Sequence, residues 1–303
     1  MALKPLSALL SVLTMCLGTA GHSADLSVST YRGDVTVAET PRTVVALDVA
    51  AVDTLTALDV PLAGVPGNLY VSYLDGVAKR AKPVGTLFEP DFEAIALLGP
   101  DLIVTGGRSS EQTEALAEIA PTLDMTIEGD NFVETALDRL RSYGQIMDKE
   151  AEAAAIERTF ADKIAQAKSA IAGKGNALIV LTNGPKISVY GKGSRFGWLH
   201  NTLNLPETVA GVDAQTHGEV VSFEFIAEAN PDWLLVVDRA AAIGQQNQSA
   251  KTTLDNALVA QTTAWSKGQV IYLNAADIYI SGGGIQSMMR TLDHVTQGFE
   301  AAH

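Results

Sequence analysis

Arg108 and Arg239 close two stretches of this 303-residue chain that repeat one another. Asp91 to Arg108 reads DFEAIALLGPDLIVTGGR and Ser222 to Arg239 reads SFEFIAEANPDWLLVVDR, and Phe-Glu, Ile-Ala, Pro-Asp and the final arginine coincide at one offset of 131 residues. A gapless echo over eighteen positions marks two copies of one structural unit. A guanidinium is a permanently charged planar fork, so the chemistry it offers is anion recognition. A third arginine, Arg195, lies in the glycine-spaced loop Gly191-Lys-Gly-Ser-Arg-Phe-Gly197, which lacks the spacing of a phosphate-cradling P-loop. An arginine after a strand is more often a solvated or ion-paired surface residue. The repeat is what sets Arg108 and Arg239 apart.

Each copy predicts a short helix stopped at Pro100 or Pro231, because proline lacks the amide proton and restricts the residue before it. A strand follows, Leu102-Ile-Val104 or Trp233-Leu-Leu-Val-Val237, whose unbroken apolar run suits a parallel strand covered on both faces. The arginine then falls just past the carboxyl end of its strand, where open α/β sheets bind ligands. Two such units facing each other aim both arginines into one cleft.

Further strands are predicted at Thr43–Leu47, Asn176–Leu181 continued by Ile187–Tyr190, and Val270–Leu273, with a hairpin around Arg32-Gly33-Asp34. Asp48 or Asp53 caps the helix that carries Leu55 and Leu58. Leu58-Asp-Val-Pro61 is echoed by Leu203-Asn-Leu-Pro206, which extends the symmetry. Lys149 to Ala172 places Ala153, Ile156, Phe160, Ile164, Ala167 and Ile171 at helical spacing with no internal Gly or Pro. That predicts one helix of roughly 24 residues, roughly 36 Å long, acting as a strut between lobes. The fold class is therefore α/β, two Rossmann-like lobes with parallel-rich sheets joined by one long rigid helix. The divisions fall at 1–24 (signal peptide), 25–147 (N-terminal lobe), 148–174 (inter-lobe helix) and 175–303 (C-terminal lobe).

Lys4, the apolar run Leu9 to Leu17 and the small residues up to Ala24 read as a cleaved secretory signal, too short to span a bilayer. Export to the periplasm follows. Met15 stands where a lipid-attachment motif ending at Cys16 wants a small residue, which argues against a lipid anchor. Cys16 is the single cysteine, so disulfides contribute nothing to the fold. The formal charge is −14, which excludes nucleic acid or an anionic membrane as the main partner and makes any anion site a local basic patch. No Gly-x-Ser-x-Gly elbow and no His-Glu-x-x-His motif is present, and no paired acid and base for hydrolysis is apparent. Binding without catalysis is the simpler account.

The two-lobe pattern, the Pro-Asp unit in each lobe, the string THGEVVSFEFIAEANPDWLLVVDR from Thr216 to Arg239 and Asp277-Ile-Tyr279 together resemble the periplasmic ferric-siderophore-binding proteins of ABC importers, closest to the catecholate-binding branch. The resemblance covers essentially the whole mature chain and implies the class III periplasmic-binding-protein fold. It implies that Arg108, Arg195 and Arg239 converge on a ferric catecholate, and that His217 and Tyr279 fill iron sites left open by a tetradentate siderophore. Each guanidinium-to-anion pair at about 6 Å contributes roughly 2–3 kcal/mol at an effective dielectric near 20. Ferric iron accepts phenolate oxygen and imidazole nitrogen as donors.

The resemblance further implies that Glu93 and Glu224 dock an inner-membrane ABC permease dimer with its ATPase. A carboxylate favouring a helix N-terminus is the plainer reading of the same two positions. The chain is then a monomer with no intrinsic cofactor. Trp198, Tyr70 and Tyr73 are placed either to flank a ligand or to pack at the rim. Heme or a corrinoid is the alternative cargo on the same fold, and a periplasmic hydrolase a more distant one.

Overall fold

The fold was obtained as a computed structural model, and it describes residues 26–37, 40–129, 131–212, 218–245 and 248–301. The segment read as a signal peptide and the site residue His217 lie outside the described residues. The chain begins with an antiparallel hairpin, β1 (Leu26–Thr30) and β2 (Gly33–Val37), as the alternation predicts.

A first sheet comprises β3 (Val44–Ala46), β4 (Gly64–Val65), β5 (Lys82–Pro83), β6 (Leu102–Thr105) and β7 (Thr122–Asp124), in the order β5-β4-β3-β6-β7 and parallel throughout. A second comprises β8 (Ala177–Asn183), β9 (Lys186–Tyr190), β10 (Glu219–Val221), β11 (Trp233–Asp238) and β12 (Val270–Tyr272), in the order β10-β9-β8-β11-β12. β8, β11 and β12 are parallel, while β9 and β10 are antiparallel additions at one edge. The sequence makes Ile187–Tyr190 a continuation of β8; instead the chain reverses at Gly184 and pairs back on it, Asn183 opposite Lys186.

The central strands are fully enclosed: Val45, Ile103, Val104, Ile179, Val180 and Leu235 have no exposed surface. Burial of each such side chain contributes about 1.5–3 kcal/mol, which is why uninterrupted apolar runs become central strands.

The repeated unit has the same local construction twice. Asp91 caps the helix Phe92–Leu98 by accepting from Ala94 N at 3.0 Å, and Ser222 caps Phe223–Ala229 from Phe225 N at 3.4 Å. Both helices end in a left-handed residue, Gly99 (φ 57°) and Asn230 (φ 44°), before the proline. The aspartate after each proline then fastens the entry of the neighbouring strand. Asp101 accepts from Arg42 N at 2.9 Å and Thr43 N at 2.8 Å ahead of β3, and Asp232 accepts from Asn176 N at 3.0 Å ahead of β8.

The helix between the sheets runs Glu150–Ile171, 22 residues, and buries Phe160 and Ala167 against the helices Phe132–Ile146 and Ile285–Ala301. Glu157 pairs with Arg141 and Lys163 with Asp293 along its flanks. The C-terminal helix Ile285–Ala301 also packs on Val49–Ala57 beside the first sheet, so the last element of the chain bridges both halves. No helix among the described residues is long and apolar enough to cross a membrane.

Candidate functional site: a cationic cluster around Tyr279

β6 ends at Thr105, and Arg108 rides on the 3-10 turn Gly107–Gln112 just beyond it. That turn is fastened from behind, since Gly107 N donates to Thr126 Oγ1 at 2.9 Å. Asp124 accepts from Thr126 N (3.0 Å), Thr126 Oγ1 (2.6 Å), Ser110 Oγ (2.5 Å) and Arg32 Nε (2.8 Å). Burial opposes ionisation of Asp124, but these donors outweigh it and hold the carboxyl below its usual range.

Arg239 opens a four-residue helix after β11, with Asp238 capping Ala241 N at 3.1 Å. In the glycine-spaced loop, Ser194 Oγ donates to Gly191 O at 2.6 Å. Phe196 is buried against Tyr190, ring centres 4.6 Å apart, which leaves Arg195 to face the cleft side. Burial pushes the Tyr190 phenol up to about 12.

The three guanidiniums meet at one residue. Arg108 donates from Nη2 to Tyr279 O at 3.0 Å and from Nη1 to Ile280 O at 3.4 Å. Arg195 donates from Nη2 to the same Tyr279 carbonyl at 3.0 Å. Arg239 donates from Nε to Tyr279 Oη at 3.1 Å and from Nη1 to Asn183 Oδ1 at 3.5 Å. Their central carbons lie 5.5, 4.6 and 6.0 Å from the Tyr279 ring centre for Arg108, Arg195 and Arg239. Among the described residues none of the three is ion-paired with a carboxylate. Burial, and then the charge of Arg108, lowers the pKa of Arg195. Such a cluster is short of negative charge, and a polyanion placed in it would relieve the mutual repulsion.

The structure thus brings together Arg108, Arg195, Arg239 and Tyr279. Trp198 is buried and stacks on Phe132 across 6.3 Å at 8°, so it packs the two halves together and does not line an open pocket. Tyr73 is engaged with Asp53 and Ser281 behind the cluster, and Tyr70 is exposed. Asn183, at the end of β8, belongs to the cluster and was missed; its signal was its place at the carboxyl end of a central strand. Asp48, not Asp53, caps the first long helix, from Ala51 N at 3.2 Å. Glu93 and Glu224 lie exposed in the first turns of the two repeated helices. A groove of about 530 Å³ between the hairpin and Phe132–Ile146 also contains arginine: Arg141 is paired with Glu134, Asp138 and Glu157, and the buried Arg139 donates to Thr126 O.

Two five-stranded α/β sheets, a strut helix and, at the strand ends, a cluster of three arginines without ion pairs among the described residues define a bilobal solute-binding protein. The periplasmic binding protein family matches residues 44–276, and the chain belongs to that family. It is 36% identical over 271 residues to the petrobactin-binding protein YclQ of Bacillus subtilis, covering 87% of this chain and 84% of that one. The solved structure of YclQ superposes with a TM-score of 0.87 over 91% of this chain and 99% of that one, at 33% identity. The ferric-anguibactin-binding protein FatB of Vibrio anguillarum is 29% identical over 276 residues, 89% of this chain and 86% of that one. The periplasmic catecholate-siderophore binding protein VctP of Vibrio cholerae superposes at 0.83 with 29% identity, covering 90% of this chain and 99% of that one.

Proposed function

We propose that this chain is the periplasmic receptor of an iron(III)-siderophore ABC importer and captures a ferric catecholate between lobes 25–147 and 175–303, on either side of the 148–174 helix. The observation that carries the reading is the convergence of Arg108, Arg195 and Arg239 on Tyr279, none of them ion-paired with a carboxylate among the described residues. A ferric catecholate is a bulky polyanion, and guanidinium forks match its oxygens in charge and geometry. The relatives named for petrobactin, anguibactin and catecholate siderophores support the same ligand class.

The mechanism is recognition without bond chemistry. The arginines, held around Tyr279, offer their remaining N–H groups to the ligand. Tyr279, with His217, then fills iron positions that a tetradentate siderophore leaves open. Glu93 and Glu224, at equal positions in the two repeats, dock the loaded protein on the two halves of the permease.

The test is a titration of the mature protein, followed by tryptophan quenching and the visible charge-transfer band, with a synthetic ferric bis-catecholate, a ferric tris-catecholate, a ferric hydroxamate and heme. The ferric bis-catecholate is expected to bind tightly, and replacing any one arginine by Gln should weaken it by about 10- to 100-fold. The band should shift in the His217→Ala/Tyr279→Phe double variant. Binding of heme alone would overturn the reading. An unshifted band with unchanged affinity would remove the ligation role and leave the arginine cradle.

A further inference from the structure

Behind the cationic cluster, the segment that carries Tyr279 is fastened to the other half of the molecule. After Tyr279 the chain runs Ile280-Ser281-Gly282-Gly283-Gly284 into the helix Ile285–Ala301. Asp53, from the helix Val49–Ala57, is wholly buried and receives that helix's first amides, Gln286 N on Oδ1 at 2.7 Å and Ser287 N on Oδ2 at 2.9 Å. Gln286 Nε2 donates back to Asp53 O at 2.7 Å, and Ile285 N donates to Thr54 Oγ1 at 3.2 Å. A β-carbon at Gly284 would fall 2.6 Å from Asp53 Cγ, so the approach requires glycine there.

Tyr73 joins the same knot. Its hydroxyl donates to Asp53 Oδ2 at 2.5 Å and meets Ser281 Oγ at 3.0 Å, while Ser287 Oγ donates to Ser281 O at 2.6 Å. A continuous run of contacts therefore leads from the first half, through Asp53, Tyr73 and Ser281, to the Tyr279 carbonyl on which Arg108 and Arg195 converge.

We propose that Asp53 and Tyr73 are positioning residues for the binding site: they set the register of the Tyr279 segment against the first lobe and so fix the spacing of the three guanidiniums. Arg290 lies over the Tyr73 ring at 4.7 Å and pairs through Nε with Asp277 at 2.9 Å, and His294 faces Asp277 from the next turn. Burial pushes the Asp53 carboxyl up to about 7, with Tyr73 and the two amides pulling the other way. The affinity part of the proposal rests on the ferric catecholate reading; the positional part does not.

The experiment has two arms. Hydrogen exchange of the ligand-free protein is followed over residues 279–287 in wild type, Tyr73→Phe and Asp53→Asn. Exchange there should rise about tenfold in both variants, with little change in the second sheet. The dissociation constant for the synthetic ferric bis-catecholate is then measured for Tyr73→Phe in wild-type and Arg108→Gln backgrounds. The change should cost about tenfold in the first and at most about threefold in the second, because both substitutions act through one contact. Unaltered exchange at 279–287, or an equal loss in both backgrounds, would overturn the proposal. If wild type binds no ferric catecholate, the functional reading falls while the exchange arm still decides the anchor. Tyr73→Phe keeps the ring and decides the matter should Asp53→Asn fail to fold.

Discussion

Tyr279 is polar at both ends, and the cluster uses both: the backbone carbonyl holds Arg108 and Arg195, and the hydroxyl holds Arg239. Asp53 lies on the far side of the same segment, where ionisation costs stability. Burial is the main cause of its rise to about 7, whereas an unfolded chain loses this proton near pH 4. Between those values the folded state binds more protons than the unfolded one. The contribution of this group to stability therefore falls as pH rises from about 4 to about 7 and is level above. Asp48 and Asp277, both raised by burial, act in the same direction, and Asp124, held low, acts in the opposite one. Replacing Asp53 removes only its own share. Urea unfolding should show Asp53→Asn costing more at pH 5 than at pH 8, by about 2.5 kcal/mol, since about two pH units lie inside the window and each corresponds to about 1.4 kcal/mol. An equal cost at both values would mean that Asp53 does not titrate there.

At the scale of elements, the repeated helix-turn-strand unit is where sequence and structure agree most closely. Both short helices, each ended just before its proline, and both strands are found where the eighteen-residue echo places them, and the structure adds the caps and the left-handed stops. Each Pro-Asp aspartate stands directly before its own strand and holds the entry of the neighbouring one. Asp101→Ala and Asp232→Ala are each expected to cost about 1–2 kcal/mol, and because they serve different sheets and share no partner the double variant should cost their sum. A clearly smaller sum in urea unfolding would show that the two units are coupled. The rest was harder to read for physical reasons. The apolar pattern of Ile187–Tyr190 is the same for a strand that continues and one that turns back. The amphipathic face of Ile285–Ala301 says that it is covered, not that helices from both halves cover it. Asp53 looks like a helix cap because nothing local reveals a helix N-terminus more than two hundred residues away in sequence. Arg195, by contrast, joins the cluster from a loop whose sequence names no partner, and only the family resemblance pointed to it.

For the whole molecule, the strut Glu150–Ile171 and the bridging helix Ile285–Ala301 leave the two halves fastened along their backs, so motion that admits a ligand must be modest. The proposed docking would fall on the outward faces. Glu93 and Glu224 stand at equal positions, but their surroundings differ. Leu97, one turn beyond Glu93, is 82% exposed where the other unit has Glu228, and Phe88 is 63% exposed where the other has Glu219. On the second unit Val220 is 74% exposed where the first has Glu89. On the proposed docking, exposed apolar groups beside carboxylates would suit a protein contact, and their unequal distribution would suit a membrane partner with two non-equivalent half-sites. Glu93→Lys and Glu224→Lys should therefore each leave the affinity for ferric bis-catecholate within about twofold of wild type while cutting cellular uptake of the iron complex by about tenfold or more. Leu97→Glu, which gives the first face the charge of the second, should also reduce uptake without touching affinity. Full uptake in both lysine variants would return Glu93 and Glu224 to the plainer role of carboxylates at helix N-termini, whose loss costs only about 0.3–1 kcal/mol of stability.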